Sequence, residues 1–570
     1  MATHSNVLVL PANSESDDSP AVIHPSKGSA SPPTVSYAQL AAITRSLQLD
    51  LAHAGITKAS RVAIVLPNGL EFVAVFLAIV RQRGVAAPLS PQYTQSEFKD
   101  VFSRMEPELV VMLPATPDSD DGSSLAAPGV QAALELGVRV ALCRRKCEAK
   151  GGVEPGLRLD LELLEVGDIA PTAAATEAIV FSRNDVWSED KALMLFTSGT
   201  TGAPKSVLLS HTNLLVAMRI IIANHKLSPA DRTFIITPLY HIIGVCGSLL
   251  VTLFSGGCVV IPESLPGAFW QQCADYGITW FHGVPTIHRL LLGFRRPGGR
   301  VPSQLRFLRC GGSEMPPDLH ESLVALGPQL LEVYGMTETA PAIFCNRLTE
   351  ADDAVMRRRG HYPIPDAVDV VILPSEVLSR EAGDDARNGA AAAAAGDMIT
   401  RLTKEPGVIG EVCLRGKNVM DGYTNSPEAN AEAFLSNGYF RTGDLGAIQP
   451  DGYLRLVGRI KEVINKGGTK IGPAEVEHVA LSHGSVGEAA CFRIADKVYG
   501  DEIGLAVTLR PHLEGEVGPI TAVDLKRHIR QHLTAFKVPK KIVFVDAIPY
   551  NRTGKPLRTQ LAQRFAKGLL

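Results

Sequence analysis

Short apolar runs, repeated along the first 450 residues, constrain what this 570-residue chain can become. Arg61-Val62-Ala63-Ile64-Val65-Leu66, Val110-Val111-Met112-Leu113, Ala192 to Phe196, Thr233 to Thr237, Cys258 to Ile261, Trp280-Phe281 and Arg306 to Arg309 show little polar alternation. A strand that is apolar on both faces must be covered on both faces, which is the habit of parallel sheets layered with helices. Helical stretches such as Phe72 to Val80 lie between the runs. The fold class read from this is α/β. One hydrophobic core stops growing at roughly 250–300 residues, so more than one globular body is expected. After Gly458 the elements shrink to a smaller α+β scale. The expected division is therefore a lead-in over 1–36, a large N-terminal domain over 37–457, a break at 458–461 and a small C-terminal domain over 462–570.

Residues 11–34 are rich in Ser, Pro and Asp and end in Ser31-Pro32-Pro33, which predicts a loosely packed or poorly ordered lead-in. Residues 382–397 hold an unbroken Ala390 to Ala395 run with no amphipathic pattern and read as a surface insertion. The formal charge of −3 offers no electrostatic footprint for nucleic acid. No apolar run reaches the roughly 20 residues of a membrane helix. Ile242 to Ile261 comes nearest, but Gly244, Gly247, Gly256 and Gly257 interrupt it, so it reads as a buried helix followed by a strand. Nine scattered cysteines predict reduced thiols rather than a disulfide framework. A polar start with Asp17 and Asp18, and an end at Lys567-Gly568-Leu569-Leu570 that lacks a peroxisomal tripeptide, lead to a cytoplasmic expectation.

The densest chemistry is Thr197-Ser198-Gly199-Thr200-Thr201-Gly202-Ala203-Pro204-Lys205, directly after the apolar run Leu193 to Phe196. Glycine backbone N–H groups and hydroxyls can wrap an anionic group, and Lys205 adds a point charge. The spacing is not that of a Walker loop, which excludes an ordinary P-loop NTPase. Taken alone, the stretch could also be a flexible Gly/Ser loop.

The segment FTSGTTGAPKSVLLSH resembles the signature loop of the AMP-binding, acyl-adenylate-forming superfamily of acyl-CoA synthetases, luciferases and peptide-synthetase adenylation domains. Further blocks follow in that superfamily's order: PLYH at 238–241, GVPT at 283–286, GGSEMP at 311–316, YGMTET at 334–339, GEV at 410–412, YFRTGDLG at 439–446, DGYLRLVGRIKEVINKGG at 451–468 and NRTGKPLR at 551–558. The resemblance spans about Tyr37 to Arg558. Within the superfamily it is closest to plant and fungal oxalate–CoA ligases, through Phe269-Trp270, Thr279 to His288 and Ala535 to Lys540.

The resemblance implies an ATP-dependent ligase that joins a carboxylic acid to coenzyme A through an acyl-adenylate, with Mg²⁺ on the ATP phosphates. Ser198 to Gly202 with Thr197 and Lys205 would cradle phosphate. Gly311, Gly312 and Ser313 would edge the adenine, and Tyr334-Gly335-Met336 would stack it, an aromatic face beside a residue without a side chain. Thr337 would meet the α-phosphate, and Glu338 is a hard oxygen ligand suited to Mg²⁺. As a competing reading, Tyr334 to Glu338 is a turn before a helix with Thr337 as its cap. Asp444 and Arg459 would hold the ribose and phosphate. Lys461 would be the hinge of a mobile small domain. Lys555 would neutralise charge in the first half-reaction, and Lys466, Gly467 and Gly468 would line the CoA tunnel in the second. His241, with Ile242, Ile243, His282 and Gly283, would border the acyl pocket.

The acid stays open between oxalate and a medium or aromatic acid. A dicarboxylate needs a buried cation or several donors for its distal end, whereas Ile242, Ile243, Val245, Ile343 and Phe344 suit an apolar tail. Two rivals use the same first step: loading of a carrier protein, and luciferase-type oxygenation. A degenerate nucleotide-binding member of the superfamily is a third, non-catalytic alternative.

Overall fold

The computed structural model describes residues 8, 10, 12–25, 33–114, 124–148, 156–164, 179–197, 205–262, 267–295, 301–313, 315–341, 344–348, 360–377, 398–467, 469–510, 520–550 and 556–570. Two large sheets organise the N-terminal body. The seven-stranded sheet runs in the order Gly156–Leu163, Arg139–Glu148, Leu109–Met112, Arg61–Val65, Val85–Pro88, Lys191–Thr197, Lys205–Ser210, with a parallel centre and antiparallel edges. The eight-stranded sheet runs Phe344–Cys345, Gln329–Tyr334, Phe307–Gly311, Trp280–Gly283, Arg232–Phe234, Cys258–Val260, Pro20–Ile23, Thr34–Ser36, again with a parallel centre.

The layering follows from the apolar runs. The helix Leu70–Arg81 buries every residue from Leu70 to Val80, as a helix that is apolar all round must. It shares one core with Ile64 and Val111 of the first sheet and with Trp280, Phe307 and Leu331 of the second. The outer face of the seven-stranded sheet is covered by Gln95–Met105 and Pro128–Glu135. The outer face of the eight-stranded sheet is covered by Phe269–Asp275, Pro285–Gly293 and Pro317–Val324. Ser36, Thr94 and Ser210 each close a capping box at a helix start, which satisfies otherwise orphaned N–H groups.

The expectation of a loose lead-in needs correction. Pro20–Ile23 pairs parallel to Cys258–Val260, Thr34–Ser36 pairs with it in turn, and Leu8 is fully buried with its N–H donated to His211 Nδ1 at 2.8 Å. The run Pro20-Ala21-Val22-Ile23 is strand-forming, but the polar composition around it masks it in any average over the segment.

A five-stranded antiparallel sheet (His361–Pro363, Tyr453–Arg459, Phe440–Ile448, Gly410–Gly416, Val368–Pro374) follows. The small domain carries its own sheet of Thr469–Ile471, Ile464–Lys466, Gly500–Leu509 and Val486–Asp496, with Lys541–Phe544 beside Gly500–Leu509, and its own core around Ile503 and Leu525. Among the described residues no strand ladder joins this sheet to the others. Ile242 to Ile261 is a buried helix and a strand, as expected. Eight cysteines are buried and free, and no described helix is long and apolar enough to cross a membrane. The Ala-rich insertion lies outside the described residues.

Candidate active site

The site begins where parallel strands end. Trp280–Gly283, Phe307–Gly311 and Gln329–Tyr334 run side by side, with Gly283 opposite Cys310 and Gly311 opposite Val333. Their carboxyl ends bring together Gly283, the Gly311-Gly312-Ser313 turn and Tyr334, in the position where ligands bind in open α/β sheets. Gly311 has no alternative: a Cβ there would lie 2.4 Å from Val333 Cγ2 and 2.7 Å from the Val333 carbonyl. Gly312 turns the chain at φ +87°.

Beyond Tyr334-Gly335 the chain makes a single 3₁₀ turn, Thr337–Thr339. Its N-cap is Met336, whose N–H donates to Thr339 Oγ1 at 3.2 Å. The cap therefore leaves out Thr337, contrary to the competing turn reading. Glu338 is held from the opposite side by a residue that the motif reading missed. Tyr423 donates its hydroxyl to Glu338 Oε1 at 2.9 Å, and Lys205 Nζ lies 4.8 Å above the Tyr423 ring. Asn430 fixes the Tyr423 backbone, accepting from its N at 2.6 Å and donating to its carbonyl at 2.9 Å. Asn418 donates to the Thr339 carbonyl and Met420 N to the Glu338 carbonyl. The segment 417–424 thus underpins both Lys205 and Glu338. The only sequence signal was a Gly-Tyr pair between turn residues.

Thr197 and Lys205 are cross-strand partners, so they close the glycine-rich loop at its base. Ser198, Gly199, Thr200, Thr201 and Gly202 lie outside the described residues, as do Gly468 and Lys555.

Asp444 and Arg459 face each other across adjacent strands and form an ion pair at 3.2 Å. Asp444 also accepts from the Tyr334 hydroxyl at 2.8 Å, and it keeps Arg459 firmly protonated. The Tyr334 ring stacks at 5.4 Å on Phe344. An aromatic ring, a carboxylate and a guanidinium are therefore joined into one edge.

His241 caps the helical start Ile242–Gly244, and burial holds its imidazole below the ordinary value, so it is neutral at pH 7. The preceding turn is held by Asn68, which donates to the Thr237 carbonyl and accepts from Leu239 N, both at 2.9 Å. The helix continues as a π-turn, Val245–Leu250. Behind it lies His282, fully buried, whose Nδ1 accepts from Arg309 Nε at 3.2 Å. His282 thus lies behind this helix, held by Arg309, which was overlooked in the sequence.

Lys461 sits between the Tyr453–Arg459 and Ile464–Lys466 strands, and its carbonyl accepts from Arg493 Nη2. Lys466 points into the small domain. Its ammonium lies 3.0 Å from both Glu502 Oε2 and the Phe536 carbonyl, and 4.7 Å from the Phe536 ring. Gly467, at φ +53°, donates its N–H to Tyr499 O.

No group of three or more His, Cys, Asp or Glu side chains is placed to hold a metal ion among the described residues. Glu338 supplies one hard carboxylate. That fits Mg²⁺, which is commonly bound by one or two carboxylates plus substrate phosphates.

Comparison with known proteins agrees with this geometry. A family described as "AMP-binding enzyme" matches residues 12–424, and "AMP-binding enzyme C-terminal domain" matches residues 475–555. An acyl-CoA synthetase of Alternaria alternata is 65% identical over 572 residues, covering 100% of both chains. An oxalate–CoA ligase of Arabidopsis thaliana is 35% identical and covers 92% of each. The ATP-bound crystal structure of MatB from Rhodopseudomonas palustris superimposes with a TM-score of 0.75 at 26% identity, covering 97% of each chain.

Proposed function

From the premise that this chain belongs to the AMP-binding enzymes and is an AMP-forming acyl-CoA synthetase, we propose the following division of labour among its residues. The acid, ATP and CoA are its substrates. A carboxylate is a poor acyl donor because its leaving group would be oxide. Attack of its oxygen on the α-phosphorus of ATP expels pyrophosphate and makes that oxygen part of AMP, a good leaving group. The CoA thiol then attacks the acyl carbon, forming the thioester and releasing AMP.

The protein's work is positioning and charge stabilisation. Tyr334, Asp444 and Arg459 hold the nucleoside, with Asp444 as acceptor for the ribose hydroxyls. Lys205 faces the phosphates from the end of its loop, and Thr337 offers a hydroxyl to the α-phosphate. Glu338, oriented by Tyr423, is the ligand for Mg²⁺, which when bound supplies counter-charge to the triphosphate. Lys555 joins in adenylation, and Lys461 is the hinge that replaces it with the Gly467 face for the thiol step. Lys466 serves that step by anchoring the turn on which Gly467 sits. Neutral His241 borders the carboxylate without adding a positive charge.

The observation that carries this reading is the linked edge Tyr334–Asp444–Arg459 beside the closed base of the Thr197–Lys205 loop. The test is pyrophosphate exchange by the full chain against an acid panel, followed by AMP release with and without CoA. At least one acid should support exchange without CoA and thioester only with it. Absence of exchange across the panel, on folded protein, would reject the reading.

A further inference from the structure

Alternation along the Phe307–Gly311 strand puts Phe307, Arg309 and Gly311 on one face, directed at the helix that begins after His241. Arg309 is fully buried. Burial pushes its pKa down only to about 10, so it remains a cation at neutral pH. A guanidinium has five N–H donors. Nε donates to His282 Nδ1, and Nη2 donates to the Gly247 carbonyl and, at 3.2 Å, to Ser248 Oγ, while the plane lies 4.9 Å over Trp280. Nη1 has no acceptor among the described residues. The ionisable neighbours that favour its charge are Cys345 and Cys246, both kept as neutral thiols by burial.

Two other buried cations among the described residues have carboxylates: Lys466 has Glu502 and Arg558 has Glu477. A buried charge without a partner is costly, and proteins retain one where something completes it. The surroundings are built to aim it. The π-turn Val245–Leu250 presents the Gly247 carbonyl to the guanidinium, and such turns concentrate at functional sites. Gly247 keeps the approach narrow: a Cβ there would lie 2.9 Å from Ile243 Cδ1 and 3.4 Å from Arg309 Nη2. Half-buried Ile243 is therefore the movable side chain between Arg309 and the His241 end of the helix.

We propose that Arg309 is the counter-ion for the distal carboxylate of the acyl substrate, and that the enzyme takes a short dicarboxylic acid. This rests on the reading above, in which His241, at the start of the helix that Arg309 meets, borders the reacting carboxylate. The Gly247 carbonyl that Arg309 meets lies six helical residues after His241, roughly 9 Å at 1.5 Å per residue, a span that the two long side chains and a short diacid cover together. On this proposal Ile242, Ile243 and Val245 line the walls, and the end of the pocket carries a charge.

The test uses matched acids of equal length, succinate against butyrate and adipate against hexanoate, in pyrophosphate exchange by the full chain. Wild type should favour the diacid member of at least one pair by about 10²-fold or more in kcat/KM, as a site built to pair a polar group rejects an analogue lacking it. Arg309→Met keeps the volume and removes the charge, and should bring that ratio to near or below one. Arg309→Lys should keep part of the preference. A wild-type preference for butyrate and hexanoate overturns the proposal, as does an Arg309→Met protein that melts like wild type and retains the diacid ratio. If Arg309→Met does not fold, the wild-type ratio still decides. Failure of the underlying enzyme reading looks different: no acid of either kind supports exchange by wild type.

Discussion

Asp444 and Arg309 are both almost closed to solvent, Asp444 at 6% exposure and Arg309 at 0%, yet only Asp444 has its counter-ion. At the nucleotide edge, Tyr334, Asp444 and Arg459 satisfy one another before any ligand arrives. At the end of the acyl pocket, Arg309 is surrounded by neutral groups: His225, His282, His288, Cys246 and Cys345. The difference tracks what each region must recognise. ATP is the same for every member of the family, so its edge can be prebuilt and self-paired. The acid differs between members, and leaving one buried cation unpaired makes binding of the right acid the event that completes the interior.

The largest expected effect tests the neutral side of this contrast. Burial depresses His225 and His282 well below the ordinary histidine value, and His288 to about 4. A folded-state pKa below the unfolded 6.5 means that the unfolded chain binds more protons between pH 6.5 and 4. Stability is therefore complete above 6.5 and is lost as pH falls through that window. His288 alone should cost about 2 kcal/mol between pH 6.5 and 5, since one pKa unit is about 1.4 kcal/mol, and His225 and His282 act in the same direction. Urea midpoints followed by the fluorescence of buried Trp270 and Trp280 should drop steeply over that range, and His288→Gln should flatten the slope. A midpoint that does not move from pH 7 to 5 would mean that these imidazoles already carry protons in the fold.

The second prediction moves to the nucleotide side. Tyr423→Phe removes one hydroxyl while keeping the ring beneath Lys205. Loss of a group that orients a metal ligand typically costs about 10–100-fold in metal affinity or activity. Calorimetric titration of ATP at stepped Mg²⁺ should show the Mg²⁺ requirement for nucleotide binding rising by that factor, with the melting temperature little changed. An unchanged requirement would make Tyr423 a packing residue and leave Glu338 self-sufficient.

How much of this was legible in the sequence differs between the same two regions. The strand ends, the glycine-rich loop, Asp444 and Arg459 were legible because each is a local pattern, an apolar run or a dense motif that carries its chemistry within a few residues. The Pro20–Ile23 strand, Tyr423 and Arg309 were not. Pro20–Ile23 finds its partner more than two hundred residues away, at Cys258–Val260. Tyr423 matters because the chain returns to lay 417–424 against 205–207 and 338–339. Arg309 reads as one arginine ending a short run, and its meaning depends on what does not face it, which no local pattern encodes.

The smallest effect is expected where redundancy is greatest. Tyr334 contributes two separable things: a ring stacked on Phe344 at 5.4 Å, and a hydroxyl donated to Asp444 at 2.8 Å. Tyr334→Phe deletes only the second. Asp444 keeps its ion pair with Arg459 at 3.2 Å and stays in its cross-strand register, so the carboxylate should hold its place. A single hydrogen bond with its acceptor otherwise satisfied is worth about 1 kcal/mol net. The KM for ATP should rise about fivefold, with kcat and the succinate-to-butyrate ratio unmoved. Arg309→Met, one strand away, should do the reverse, changing the acid ratio and leaving ATP binding alone. If Tyr334→Phe instead costs as much as loss of the ion pair, the nucleotide edge is not self-paired. Asp444 would then depend on the phenol, and the contrast with Arg309 would narrow to one of degree.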